Sequence, residues 1–148
     1  MSTTKELRDC GDCGAKPGEL HQQGCDVERC AMCGAQQIGC ECIYTVNGLD
    51  AGDLEETHRE IYEKGPTKEM YEKFDAAIQA LGGRLPWTGE WPGDAECREF
   101  GFWCFWGPDY GQTGWVPCDP THPGATEDLN KLAFKSTWDV KQRRYVLR

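Results

Sequence analysis

A chain of 148 residues with 39% apolar and 28% charged residues can fill one ordinary core or two small ones, and a formal charge of −9 sets its surface against phosphate backbones. The charge is uneven: residues 1–49 carry −3, residues 50–99 carry −7 and residues 100–148 carry +1. No run of about 18 apolar residues exists, and the polar opening MSTTKELRD lacks the order of a secretory signal, so a soluble cytoplasmic protein with reduced thiols is expected.

The stretch RDCGDCGAKPGELHQQGCDVERCAMCGAQQIGCECIY, residues 8–44, holds seven of the ten cysteines and one of the three histidines. Reducing compartments keep thiols open, so these are read as metal ligands before disulfides. Zinc takes four tetrahedral ligands from thiolate and imidazole, and seven cysteines plus His21 make eight, enough for two closed sites and two Zn²⁺ per chain. The eight fall as four pairs: Cys10 with Cys13, His21 with Cys25, Cys30 with Cys33, and Cys40 with Cys42.

Two of these pairs are CxxCG turns separated by sixteen residues, inside the spacing range typical of a four-cysteine zinc site. The expected grouping is therefore a cross-brace, with Cys10, Cys13, Cys30 and Cys33 as site 1 and His21, Cys25, Cys40 and Cys42 as site 2; sequential pairing is the alternative. Site 2 needs both sulfurs of CEC on one ion, which QIGCECIYTV allows if Ile38, Cys40, Cys42, Tyr44 and Val46 share one face of a strand. Iron could replace zinc in a four-cysteine set. With so few large apolar residues before Ile38, the unit should be unfolded without metal, since zinc contributes about 10–16 kcal/mol at such sites.

The turn-forming run NGLDAGD divides a zinc-binding module, 1–46, from an α+β domain, 47–148. Asp53 is placed to cap a helix over about 54–63, and Thr67 to cap a second over about 68–81 with Met70, Phe74, Ile78 and Leu81 along one stripe. His58 is expected to be half-buried on the first. Trp87 and Trp91 sit in the Pro/Gly-rich segment RLPWTGEWPGD and are candidate partner-binding residues, unless they pack back over the helices. CREFGFWCFW and GWVPC predict a β hairpin over about 97–118 in which Trp106 faces Gly114, followed by a short helix EDLNKLA capped by Thr126 and a second hairpin over about 134–147. The six tryptophans are expected to dominate this part's core.

Cys97, Cys104, Cys118 and His122 raise a third metal site or a thiol nucleophile with its base, against the plainer reading of buried thiols as small hydrophobes. No other catalytic motif is found: no G-x-S-x-G, no H-E-x-x-H, no phosphate loop and no zinc-deaminase signature. Lys141, Arg143, Arg144 and Arg148 with Trp138 and Tyr145 form the one stretch resembling a nucleic-acid surface.

The cysteine pattern of residues 10–44 resembles the zinc-ribbon-like N-terminus of uncharacterised small bacterial and phage proteins, and LPWTGEWPGDAECREFGFWC, GWVPC and PGATEDLNKLA resemble their C-terminal part. The resemblance implies metal binding at the eight ligands and a bacterial or phage cytosol, with no activity attached. The combined expectation is a non-enzymatic, acidic, zinc-stabilised module that docks on another protein, an inhibitor or immunity-like factor of a basic enzyme. A nucleic-acid-binding zinc ribbon and a thiol or metal enzyme are the alternatives.

Overall fold

The computed structural model describes residues 6–107 and 113–148. It is an α+β arrangement of short helices and two small antiparallel sheets, with the cysteine-rich turns first. Among the described residues no helix is long and apolar enough to cross a membrane.

The first regular element is a helix, α1 (Cys42–Val46), in place of the expected strand. The alternation of Ile38, Cys40, Cys42, Tyr44 and Val46 suggests period two. The spacing that wins is Ile43 to Val46, which turns both side chains toward the core cluster that contains Phe74 and Ile78. Asn47 closes the helix, its Nδ2 donating to the carbonyls of Ile43 at 2.7 Å and Met70 at 3.2 Å.

The helix expected over 54–63 is two: α2 (Leu54–Thr57) and α3 (Arg59–Lys64). They part at His58, whose φ of −134° and ψ of 50° leave the helical region, and which is exposed rather than half-buried. Asp53 does not cap, because a 3₁₀ turn over Ala51–Asp53 already places it in the helical region, where its side chain cannot reach back to the amides. The expectation for α4 (Lys68–Ala80) holds: Thr67 Oγ1 accepts the Met70 N–H at 3.3 Å, and Met70, Phe74 and Ile78 are buried.

The first expected hairpin starts later than its pattern suggests. DAECREF is a helix, α5 (Asp94–Phe100), with Asp94 and Glu96 in its first turn, Arg98 in its last, and Gly101 at φ 76° as the stop. Those terminal signals outweigh the run of aromatics that follows. β1 (Trp103–Trp106) then pairs with β2 (Trp115–Pro117) on one side and with β3 (Thr126–Glu127) on the other.

The register of β1 and β2 is shifted by one from expectation: Trp106 faces Trp115, Phe105 faces Val116 and Cys104 faces Pro117. Gly114 is used instead at φ 73°, where its carbonyl accepts the Gly107 N–H at 2.9 Å. Thr126 belongs to β3, so α6 (Leu129–Lys135) is capped by Asp128, whose Oδ1 accepts the Lys131 N–H at 3.0 Å. The second hairpin is as expected, β4 (Ser136–Asp139) with β5 (Arg144–Leu147).

Among the described residues three small cores result, and two contain the cysteine turns. One gathers Cys30, Ala31, Phe74, Ile78 and Leu85; one gathers Cys10, Ala15, Cys25 and Trp87; the third gathers Cys97, Phe102 and Leu132 under α5 and α6. Tryptophan does not dominate the third, since Trp106 and Trp115 lie outside it and are exposed.

Candidate metal centres

CGDCGA and CAMCGA fold into the same turn. In the first, the Cys10 N–H donates to the Ala15 carbonyl at 2.8 Å and the Gly14 N–H to the Cys10 carbonyl at 2.9 Å; in the second, Cys30 donates to Ala35 at 2.7 Å and Gly34 to Cys30 at 2.8 Å. Gly14 and Gly34 both take φ 78°, the left-handed region in which a side chain is strained. Each turn aims two sulfurs at one point. The Met32 N–H also reaches the Cys30 sulfur at 3.4 Å.

All eight expected ligands gather, but sequentially rather than as a cross-brace. The donor atoms of Cys10, Cys13, His21 and Cys25 lie within 4.8 Å of one another, and so do those of Cys30, Cys33, Cys40 and Cys42. Closure entropy explains the choice: seven residues separate Cys13 from His21 and six separate Cys33 from Cys40, against sixteen between the two CxxC turns. Each turn is completed by the next pair along the chain. The linker residues are tied to the set on either side: the Asp26 N–H donates to Asp12 Oδ2 at 2.8 Å beside the first, and the Gln37 N–H to the Glu28 carbonyl at 2.8 Å beside the second.

The spacing of the first set fits a tetrahedral ion. Metal–sulfur bonds of about 2.3 Å and metal–nitrogen bonds of about 2.0–2.1 Å place sulfurs about 3.8 Å apart and sulfur and nitrogen about 3.6 Å apart. Cys10 and Cys25 sulfurs are separated by 3.8 Å, and His21 Nδ1 lies 3.4 Å from both Cys13 and Cys25 sulfurs. His21 would therefore ligate through Nδ1. The two groups can each hold a metal ion.

Protonation points the same way. Burial pushes the Cys25 thiol up to about 12, whereas Cys13, against its own desolvation, is drawn down to about 6 by the amides of Gln22 and Ala15 and by His21. In the second set, hydrogen bonds from Cys30 and Cys40 hold Cys33 well below the usual thiol range, while Cys40 is pushed up by Cys30 and Cys33, and burial takes Cys42 to about 12. In each set one thiol, Cys13 or Cys33, is held low while neighbours, Cys25 in the first and Cys30, Cys40 and Cys42 in the second, are pushed up. A divalent cation is the counter-charge that would let every sulfur ionise.

Each turn is sealed by an aromatic residue from far along the chain, a feature that local sequence patterns do not announce. Trp87 is buried beside the first set, its ring edge-on to His21 at 5.6 Å and its Nε1–H donating to the Arg8 carbonyl at 2.6 Å. It is thus no surface anchor. Trp138 lies over the second turn, donating from Nε1 to the Ala31 carbonyl at 3.0 Å, while the Tyr145 hydroxyl donates to the Gly34 carbonyl at 2.7 Å.

A part-buried ion pair, equally unannounced, ties the sets together. Arg84 forks onto Glu28, with Nε 3.1 Å from Oε2 and Nη2 on Oε1, and Nη2 also donates to the His21 carbonyl at 2.6 Å. The repeated CGA that closes each CxxC turn is the one hint in the sequence that both turns need a similar cover.

The remaining candidates do not assemble. Among the described residues only the two groups above bring three or more such ligand atoms together. Cys104 sits beside the Glu127 carbonyl, Cys118 faces Trp103, and His122 stacks on Phe105 at 4.0 Å with Nδ1 2.7 Å from the Pro123 carbonyl. Burial raises Cys97 to about 12 and Cys104 to about 11, the reverse of an activated thiolate.

The arginines of the basic stretch near the end are engaged internally. Arg143 donates to the Leu81 and Gly83 carbonyls, Arg144 pairs with Glu99, and Arg148 donates to the Ser136 carbonyl. Trp91 is partly exposed beside α6. Comparison with protein-family models, curated proteins and solved structures found no match for this chain.

Proposed function

We propose that this protein is a non-enzymatic scaffold, stabilised by two zinc ions, that docks on another protein. Four protein donors around each ion leave no coordination position for a substrate or for an activated water, so the metal supplies folding energy. A set of three cysteines with one histidine, beside a set of four cysteines, favours zinc, because iron is at home in only the second.

The observation that carries the docking reading is a surface one. Trp106, Trp115 and Phe134 are left 52%, 49% and 80% exposed. Exposed aromatics gathered on one face mark protein contacts. They lie in the one third of the chain with a positive balance, so the partner is chosen by a local face rather than by the overall −9, and a basic enzyme is not the best fit.

Metal analysis of the purified chain should give two zinc per molecule, and affinity purification from cells that encode the protein should recover a stoichiometric protein partner. A monomeric, partner-free protein that turns over a metabolite would overturn the reading.

A further inference from the structure

The aromatic face has a defined shape, because it borders an open strand edge. β2 is the outer strand of its sheet. Gly114 and Cys118 turn their backbone groups to β1, through Gly107 N–H to Gly114 O at 2.9 Å and Cys118 N–H to Trp103 O at 3.0 Å, and Val116 lies between them opposite Phe105. By the alternation of antiparallel pairing, the N–H and C=O of Trp115 and the C=O of Pro117 point outward. Trp106 and Trp115 form the intervening pair, the kind in which side chains approach most closely, and their rings meet edge to face at 4.9 Å.

Across a shallow groove from Trp115 and Pro117 runs α6, which contributes Phe134, Lys131 and Lys135. Asp128 also borders the groove, but its carboxylate caps α6. Lys131 Nζ rests 5.0 Å from the centre of the Phe102 ring, and among the described residues no carboxylate pairs with either lysine. An outward backbone donor and acceptor, an aromatic wall and two ammonium groups with no salt bridge among the described residues are the elements of strand addition with charge selection.

We infer that this groove takes a short, extended, acidic segment of the partner, which lies along β2 as an additional strand. This rests on the protein-docking reading above. The segment's backbone pairs with Trp115, one row of its side chains meets Trp115 and Phe134, and its carboxylates meet Lys131 and Lys135. Pro117 offers no N–H, which keeps the paired stretch to a few residues. Two lysines in a chain of net charge −9 do not suffice for a phosphate backbone.

The test is selection of random eight-residue peptides, displayed on phage, against the zinc-loaded full chain, followed by fluorescence polarisation of the synthetic winners. Enriched peptides should alternate apolar residues with Asp or Glu, and methylating their backbone nitrogens at alternate positions should abolish binding in one register only. Phe134→Ser, at an exposed position, should weaken binding at least tenfold with zinc content unchanged. The double charge reversal Lys131→Glu with Lys135→Glu should switch the selected peptides from acidic to basic, a gain that misfolding could not mimic.

Failure to enrich peptides, indifference to both variants, tryptophan quenching by oligouridylate that competes with the peptides, or a dimer abolished by Phe134→Ser would each overturn the proposal. If the cellular partner co-purifies with both variants, the groove is refuted and the docking reading stands. If the wild-type chain recovers no partner, the docking reading itself falls.

Discussion

The two matched turns provide an internal control for how the second metal centre is held. Gly14 and Gly34 share φ 78°, so alanine at either position incurs the left-handed cost of about 1–2 kcal/mol. Their surroundings differ. A Cβ at Gly14 meets nothing within 4 Å, whereas one at Gly34 lands 2.4 Å from Trp138 Cε3 and 2.7 Å from Cδ2. Carbon atoms pack at about 3.5–4.0 Å, so the indole must retreat by about 1 Å. That movement strains a hydrogen bond of 3.0 Å to Ala31, worth about 1 kcal/mol, and overpacks the contact by about 1–3 kcal/mol. Gly34→Ala should therefore cost about 2–4 kcal/mol more than Gly14→Ala. Where metal binding and folding are one event, that excess appears as about 30–900-fold weaker zinc retention at the affected site. Competition with a chromophoric chelator, read as two successive releases, measures it. Trp138→Leu in the Gly34→Ala background should recover part of the loss. Equal losses for the two alanine variants would refute the packing argument.

Trp87→Ala removes the cover of the first set and should cost about 3–5 kcal/mol, with early release of one zinc in the same competition and later release of the other. Arg84→Met strands a Glu28 side chain that is 3% exposed, at about 3–5 kcal/mol by urea denaturation, and Glu28→Gln in the same chain should restore much of it; equal stabilities of the single and double variants would contradict the described pair. Chelation of both metals should shift the emission of the chain to the red through exposure of Trp87 and Trp138. Phenylalanine at Trp106 and Trp115, which are already half in water, should leave that shift intact.

The metal ligands are legible because coordination chemistry restricts which side chains can cluster, and all eight residues named by composition and spacing are brought together. Their grouping is not legible. Spacing rules describe what a zinc site tolerates, and Cys10 to Cys33 satisfies them, yet loop closure favours the shorter return to His21 and Cys25. α4 is readable from Thr67 and its stripe, because capping and periodicity agree. α1 and α5 mislead where apolar alternation points one way and glycine, acidic first turns and tertiary contacts point the other. The aromatic covers lie beyond local reasoning altogether, since nothing within a few residues of Trp87 or Trp138 states which turn it will meet.

The cover on the second turn has a consequence for synthesis in the cell. Trp138 follows its acceptor, Ala31, by 107 residues, so at about 5–20 residues per second the ribosome needs about 5–20 s to supply it. From the synthesis of Cys42 until Trp138 is made, Cys30, Cys33, Cys40 and Cys42 are all on a nascent chain without their lid, open to zinc and equally open to oxidants. Early metal capture is then a form of thiol protection, and the yield of intact protein should depend on how much zinc is free while translation is still under way.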